Sequence, residues 1–411
     1  VSNCQLSINN YQLPEGYKQT EVGVIPEDWE VKPLGDFISL QRGYDLTARE
    51  RRPGNIPVMG AAGQNGFHSE ALVEGPGIVL GRSGASYGQV HYCESDYWPH
   101  NTGLYATDLH GNDPLFTFYF LDSLDFSRYN SGGAQQSLNR NFIYPILIAI
   151  PDVKEQRAIA TTLSDVDALI AALDQLIAKQ RHLKTATMQQ LLTGKKRLPG
   201  FGEEWNVYSI EEICRNVIDY RGRTPKKIGM EWGGGDIPAL SANNVKMGLI
   251  DLKVESYLGS EELYEKWMKN GDPQKEDIVF TMEAPLGNVA LIPNDKKYIL
   301  SQRVILMQTH QTLVANRFLV QLIMSSQFQL ALSQDSSGST ATGIQRKKLE
   351  KISLSLPPLE EQREIATVLS DMDDEIAAIE ARRAKTQAIK QGMMQQLLTG
   401  KVRLLDKGIN N

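Results

Sequence analysis

The chain has 411 residues, 41% of them hydrophobic and 22% charged, with a formal net charge of -6, which leaves room for two to four domains with real cores. No apolar run approaches the ~18 residues of a membrane span, residues 1–10 lack the basic-then-apolar pattern of a secretory signal, and Cys4, Cys93 and Cys214 form no CxxC pair, which argues against a disulfide framework or a thiolate zinc site and makes the cytoplasm the expected location. The acidic balance runs against a simple DNA-binding domain, which is usually basic, so a nucleic-acid role requires positive charge that is concentrated locally or supplied by partners.

Residues 1–150 read as an N-terminal extension and a first globular stretch, rich in Gly and in short β-type runs. Its landmarks in chain order are Ile25-Pro26-Glu27-Asp28-Trp29, the pair Ile56-Pro57, a strand Gly77 to Leu80 followed by the glycine-rich loop Gly81 to Ser86, Gly88-Gln89-Val90, and a closing apolar run Ile146 to Ile150. Residues 151–198 then read as a long helix. Pro151 stands near its start and Gly194 near its end, with Lys195 and Arg197 suited to the negative helix terminus. Ile159, Leu163, Val166, Ile170, Leu173 and Ile177 alternate steps of four and three, the a/d seam of a coiled coil. The seam weakens where Gln180 and Lys184 turn it polar, and the apolar stripe resumes at Met188-Leu191-Leu192.

Residues 199–356 form a second globular stretch with the same landmarks: Phe201-Gly202-Glu203-Glu204-Trp205, Ile237-Pro238, Gly287-Asn288-Val289 and the closing run Ile352 to Leu356. Between these anchors the two stretches differ almost completely. Residues 357–405 return to a helix, with Pro357 before it, Gly400, Lys401 and Arg403 at its end, a seam of Ile365, Leu369, Met372, Ile376 and Ile379, polar positions Arg383, Thr386 and Lys390, and a resumed stripe at Met394-Leu397-Leu398. Residues 406–411 are a tail. The two helices are copies of one segment. Glu155-Gln156-Arg157 matches Glu361-Gln362-Arg363, and Met188 to Lys195 matches Met394 to Lys401 without exception, at one offset of 206 residues (155 to 361, 188 to 394).

The order globular, helix, globular, helix predicts a geometry. The second globular stretch joins the end of the first helix to the start of the second, so packing the seams together makes the helices antiparallel and sets the globular stretches at opposite ends about an approximate two-fold axis. A helix of about 38 residues spans roughly 57 Å at ~1.5 Å per residue, enough to hold two reading heads one ~34–36 Å DNA turn apart. Unlike heads in a two-fold arrangement imply two unlike half-sites in opposite orientation.

At these residues the chain resembles the specificity subunit of type I restriction–modification systems: a variable domain, a helix opening E-Q-R-x-I-A and closing L-L-T-G-K-x-R-L, then the same again. The resemblance extends to Gly16 to Gly23 before Ile25-Pro26 and to the junction Arg197-Leu198-Pro199-Gly200-Phe201, and so covers nearly the whole chain. It implies an α+β fold in which two α/β target-recognition domains are joined by two long antiparallel helices in a coiled coil with pseudo-two-fold symmetry. It further implies a non-catalytic subunit that binds double-stranded DNA at a bipartite target, one half per domain, with the helices as spacer and as docking surface for two methyltransferase subunits. Motor-nuclease subunits complete such an assembly, and S-adenosylmethionine, ATP and Mg are expected only on those partners. Since the chain soon stops after Lys401, where a third globular stretch would begin, a complete two-unit form is expected.

Marks of catalysis are missing from the sequence. Leu356-Pro357-Pro358-Leu359 lacks the polar residue of an adenine methyltransferase loop, Gly194-Lys195 lacks the rest of a phosphate-cradling loop, the six histidines show no HExxH spacing, and no GxSxG occurs. No metal site is expected. DNA contacts call for Lys and Arg at phosphates and for Arg, Lys, Asn or Gln at base edges. In the first domain the candidates are Arg42, Tyr44, Arg49, Arg51, Arg52, Arg82, Ser83, Asn101, Gln135, Gln136, Asn139 and Arg140. In the second they are Arg221, Arg223, Lys226, Lys227, Asn243, Asn244, Arg346, Lys347 and Lys348. Tyr44, Trp98 and Trp232 could stack on a displaced base, although aromatic residues in such domains mostly belong to the core. Each basic cluster has the bland alternative of a solvated face. The acidic total charge also suits a two-headed coiled-coil scaffold that binds protein instead of DNA.

Overall fold

The computed structural model describes residues 13–130, 136–334, 336 and 343–404. The chain divides into two compact units, Val1–Asp174 with Ala381–Asn411, and Gln175–Glu380. Neither unit is a contiguous globular stretch. Each combines one globular domain with about half of each long helix, Val153–Leu191 and Leu359–Leu397, both 39 residues long.

In the first unit a four-stranded antiparallel sheet runs in the order Ser39–Arg42, Gly103–Asp108, Gly77–Gly81, Val90–Cys93. The strand Gly77–Gly81 is buried along its whole length, which explains why its sequence is continuously apolar: both faces are covered. Successive side chains point to opposite faces, so Ile78 and Leu80 enter one core while Val79 enters another. The first core also takes Trp29, Phe37, Phe116 and Phe120, together with Ile159 and Leu163 of one long helix and, at the end of the other, Leu397 and the following Leu398. At roughly 1.5–3 kcal/mol for each apolar side chain fully buried, the helix ends contribute to the domain core and do not merely lean on it. The second core lies toward a three-stranded sheet, Gly63–His68, Ile56–Gly60, Trp98–Pro99, whose last pair is parallel. The closing run, Leu147–Ile150, pairs with Glu30–Pro33 before the chain enters the helix.

The second unit repeats this plan from different residues. Its four-stranded sheet runs Cys214–Asp219, Val304–Thr309, Ile278–Met282, Leu286–Leu291, its short parallel pair is Ile237–Leu240 with Ile299–Leu300, and its closing run Ser353–Leu356 pairs with Asn206–Ser209. Ile278, Phe280 and Met282 enter the core that holds Leu191, Leu192, Ile365 and Leu369, while Val279 faces the core around Trp267 and Tyr298.

Within each unit the two helix halves are antiparallel, as their cross-pairs require. In the first unit Asp167 pairs with Lys390 and Asp174 with Arg383, while Glu155 pairs with Arg403 beyond the helix end; as one number rises the other falls. In the second, Lys184 pairs with Asp373, Arg181 with Glu380, and Arg197 with Glu361. The polar stretches where the apolar seam was expected to weaken are therefore bonded layers. Gln180 donates to Glu375 at 2.9 Å, and Lys184 and Lys390 occupy equivalent positions opposite the equivalent acids Asp373 and Asp167.

The repeated termini are explained by one device. Glu155 and Glu361 are buried, and each receives the guanidinium that follows the end of the other helix: Arg403 at 2.6 and 2.7 Å, Arg197 at 2.6 and 2.5 Å. These arginines bond a buried carboxylate, a more specific role than facing a helix dipole. Trp29 donates its indole N–H to Glu155, and Arg197 lies 5.6 Å from the Trp205 ring. Gln156 and Gln362 tie each helix start to its own domain, accepting from the amides of Asp113 and Ala315. Gly194 and Gly400 end the helices in the left-handed region, at φ +69° and +68°, as expected for glycine at a helix end.

Candidate nucleic-acid interface

In the first domain the turn after Ser39–Arg42, the loop after Gly77–Gly81 and the segment around Asn139 meet. They enclose an open cavity of about 710 Å³ lined by Arg42, Tyr44, Arg82, Ser137, Asn139 and Arg140, among others. Backbone geometry sets this convergence. Ser83 bridges to Ser137, Leu138 donates to the Arg82 carbonyl, and Arg82 donates its own amide to the Thr102 carbonyl. Asn139 caps the short helix Arg140–Ile143, which turns Arg140 back so that it donates to the Leu40 carbonyl. Arg42 pairs with Asp45 at 3.3 Å, and Asn101 donates to the same carboxylate. Tyr44 is 43% exposed, so it is available to a ligand as a core aromatic would not be.

Other first-domain candidates lie elsewhere. Arg51 donates to the Asn65 carbonyl and Arg52 pairs with Glu70 at 2.6 Å, both on the three-stranded sheet side; Arg49 is exposed in the loop before it. Trp98 is half-buried with its ring edge-on to His68 at 5.1 Å, a packing role. Gln136 is exposed, whereas Gln135 lies outside the described residues.

The second domain builds a cavity of about 650 Å³ against its own short parallel strand pair, lined by Arg223, Trp232, Asn243, Tyr257, Gln302 and Arg303, among others. Trp232 stacks on Tyr257 at 5.3 Å with the rings 9° apart. Asn243 is exposed at the rim. Asn244 is buried, its side chain accepting from Ser241 and donating to the Val254 carbonyl, so it holds the loop. Arg221 forms a two-pronged pair with Asp219 at 2.6 to 3.1 Å. Burial raises the Asp219 carboxyl, but the hydrogen bonds from Arg221 outweigh it and hold the group below its usual range. Arg223 donates to the Trp267 carbonyl and lies over Tyr220. Lys226 and Lys227 stand exposed on the single turn Pro225–Ile228. Arg346 pairs with Glu350 at 2.6 Å, on a short helix that also carries the exposed Lys347 and Lys348.

Strand register matches positions of one domain with positions of the other, although the two cavities are lined by non-equivalent residues. Gly103 pairs with Gly81 as Val304 pairs with Thr281, which makes Asn101 and Thr102 the counterparts of Gln302 and Arg303. Ser83 bridges Ser137 as Glu283 bridges Gly343, which aligns Asn139 and Arg140 with Gln345 and Arg346. Gln302 and Arg303, both exposed, escaped the sequence reading. Their only signal is this register, and the intervening sequences share too little to align without it. Among the described residues no group of three or more His, Cys, Asp or Glu side chains is placed to hold a metal ion, and no helix is long and apolar enough to cross a membrane.

Comparison with known proteins bears on what such paired sites serve. The type I restriction modification DNA specificity domain family matches residues 26–179 and again 202–391. The type I restriction enzyme MjaVIII specificity subunit of Methanocaldococcus jannaschii is 26% identical over 428 residues, covering 97% of this chain and 98% of that protein. The crystal structure of the type I restriction–modification S subunit from M. genitalium superimposes with a TM-score of 0.58 at 16% identity, covering 90% of this chain and 96% of that one. A second solved chain, from a study of type I restriction–modification complex assembly and conformational transition, gives 0.56 at 16% identity, with 92% and 99% covered.

Proposed function

The chain belongs to the type I restriction modification DNA specificity family, and we propose that it reads a bipartite, asymmetric DNA target, one half-site per recognition domain, as a non-catalytic subunit. The observation that carries this reading is a shared scaffold with unlike residues at matched positions: Thr102 against Arg303, Ser83 against Glu283, Asn139 against Gln345. A fold that keeps its strand register while exchanging half-buried and exposed polar side chains is suited to reading different base edges with one frame.

The paired helices set the gap between half-sites and dock two methyltransferase subunits. Support for docking comes from residues the fold leaves unexplained. Met188, Leu191 and Leu192 pack against the core, and Gly194 caps the helix, but Gln189, Gln190 and Lys195 are exposed, as are the identical Gln395, Gln396 and Lys401. S-adenosylmethionine, ATP and Mg belong to the methyltransferase and motor-nuclease partners, and the assembly works in the cytoplasm.

The test is binding of the complex with its modification subunits to duplex DNA across a salt series. Phosphate contacts predict a steep linear fall of log affinity with log salt, near -0.9 per contact, together with a preference for one bipartite sequence. Salt-independent binding, or none, would instead favour a protein-binding scaffold.

A further inference from the structure

We infer that Arg303, supported by Gln302, is a specificity-determining residue of the second recognition domain and reads a guanine in its half-site. The inference rests on the DNA-recognition reading above and adds to it a residue and a base.

Four observations converge on this side chain. Arg303 has φ +68°, a left-handed conformation that is strained for a non-glycine residue. Such strain persists where surrounding structure enforces it, commonly at functional sites. Here the enforcement is visible: the three-residue connection from Ile299–Leu300 to Val304–Thr309 is pinned on both sides, Ser301 donating to the Leu240 carbonyl and Met282 donating to the Arg303 carbonyl, each at 2.8 Å. The backbone is thus set before any ligand arrives, which lowers the ordering cost of binding.

The guanidinium is also differently placed from its neighbours. Arg221 is closed on Asp219, Arg223 is bonded to the Trp267 carbonyl, and Arg346 is engaged by Glu350. Arg303 is exposed and pairs with Glu283 through Nε at 3.6 Å, longer than a hydrogen bond; among the described residues its two terminal nitrogens have no hydrogen-bond partner. Glu283 steadies the side chain and leaves the fork open. A guanidinium fork matches guanine O6 and N7 in the major groove as a two-atom contact. Gln302 stands beside it on the same cavity rim with an amide able to read a neighbouring base. Finally, register makes Asn101 and Thr102 the first domain's counterparts, a different donor set at the same place, as two unlike half-sites require.

The experiment compares the wild-type complex, its modification subunits included, with Arg303→Ala, Arg303→Lys and Gln302→Ala on duplexes randomised across the target, reading bound or methylated sequences. For Arg303→Ala the guanine preference is expected to fall about tenfold or more at one position of one half-site. Its other positions and the whole other half-site keep their preferences, which also reports that the variant is folded. Arg303→Lys keeps the charge and loses the same guanine preference, because it lacks the fork. Gln302→Ala relaxes an adjacent position. Uniform weakening across all sequences with a shallower salt slope would identify a phosphate contact and overturn the proposal, as would an unchanged preference. A wild-type complex with no sequence preference at all would instead overturn the wider reading of the chain.

Discussion

Gly400 and Gly194 occupy equivalent places in the repeat and nearly equal φ, yet their surroundings differ. A Cβ at Gly400 would sit 2.6 Å from Pro26 Cδ and 3.2 Å from Trp29, whereas at Gly194 the nearest atoms are those of the Trp205 ring, 3.4 Å away. Both alanine substitutions pay the left-handed penalty of roughly 1 kcal/mol. Gly400→Ala adds a clash with a proline ring that cannot rotate away, so thermal denaturation of the two single variants should show it as the more destabilised. Equal losses would mean that Pro26 yields freely. At this scale the sequence was informative about types and less so about roles. Glycine at the helix ends was legible because φ > 0 demands it; Asn244 looked like a base reader because an exposed and a buried amide are the same letter.

At the scale of elements, the buried Glu155 and the half-exposed Arg383 make opposite predictions for the same kind of interaction. Glu155→Ala leaves the Trp29 indole N–H without its acceptor and Arg403 with Asp28 alone, and should cost about 2–3 kcal/mol in unfolding free energy. Arg383→Ala removes a solvent-facing pair with Asp174, screened by water and of little net worth, and should cost clearly less. Chemical denaturation of the two variants checks the contrast; similar costs would show that the helix pair is not anchored at its repeated termini. The long helices were legible in type and place, because a period of three and four survives in a linear string and the repeat states it twice, although they end at Leu191 and Leu397, short of the ranges read. The sheets were not. Apart from hairpins such as Ile278–Met282 with Leu286–Leu291, the central pairings join segments far apart in the chain, such as Ser39–Arg42 with Gly103–Asp108, and only landmarks such as Ile56-Pro57 and Ile237-Pro238, now seen at the start of equivalent strands, hinted at a common topology.

For the whole molecule, the proposed function has each domain read its own half of the target from a frame both domains share. The sequence made the duplication plain, and with it the family, but not the matched positions at which the readers differ, because register is a property of folded strands. On the helix side, the contacts that join each domain to the helices include Gln156 and Gln362 and the buried helix-end leucines, which lie in repeated segments, so a domain that supplies equivalent partners should be exchangeable without disturbing that joint. The most direct test replaces residues from about 24 to 150 with the corresponding segment of a relative and sequences the sites methylated by the assembled complex. One half of the recognised sequence should change while the other half and the gap between them stay as they were; a change in both halves, or in neither, would contradict the account.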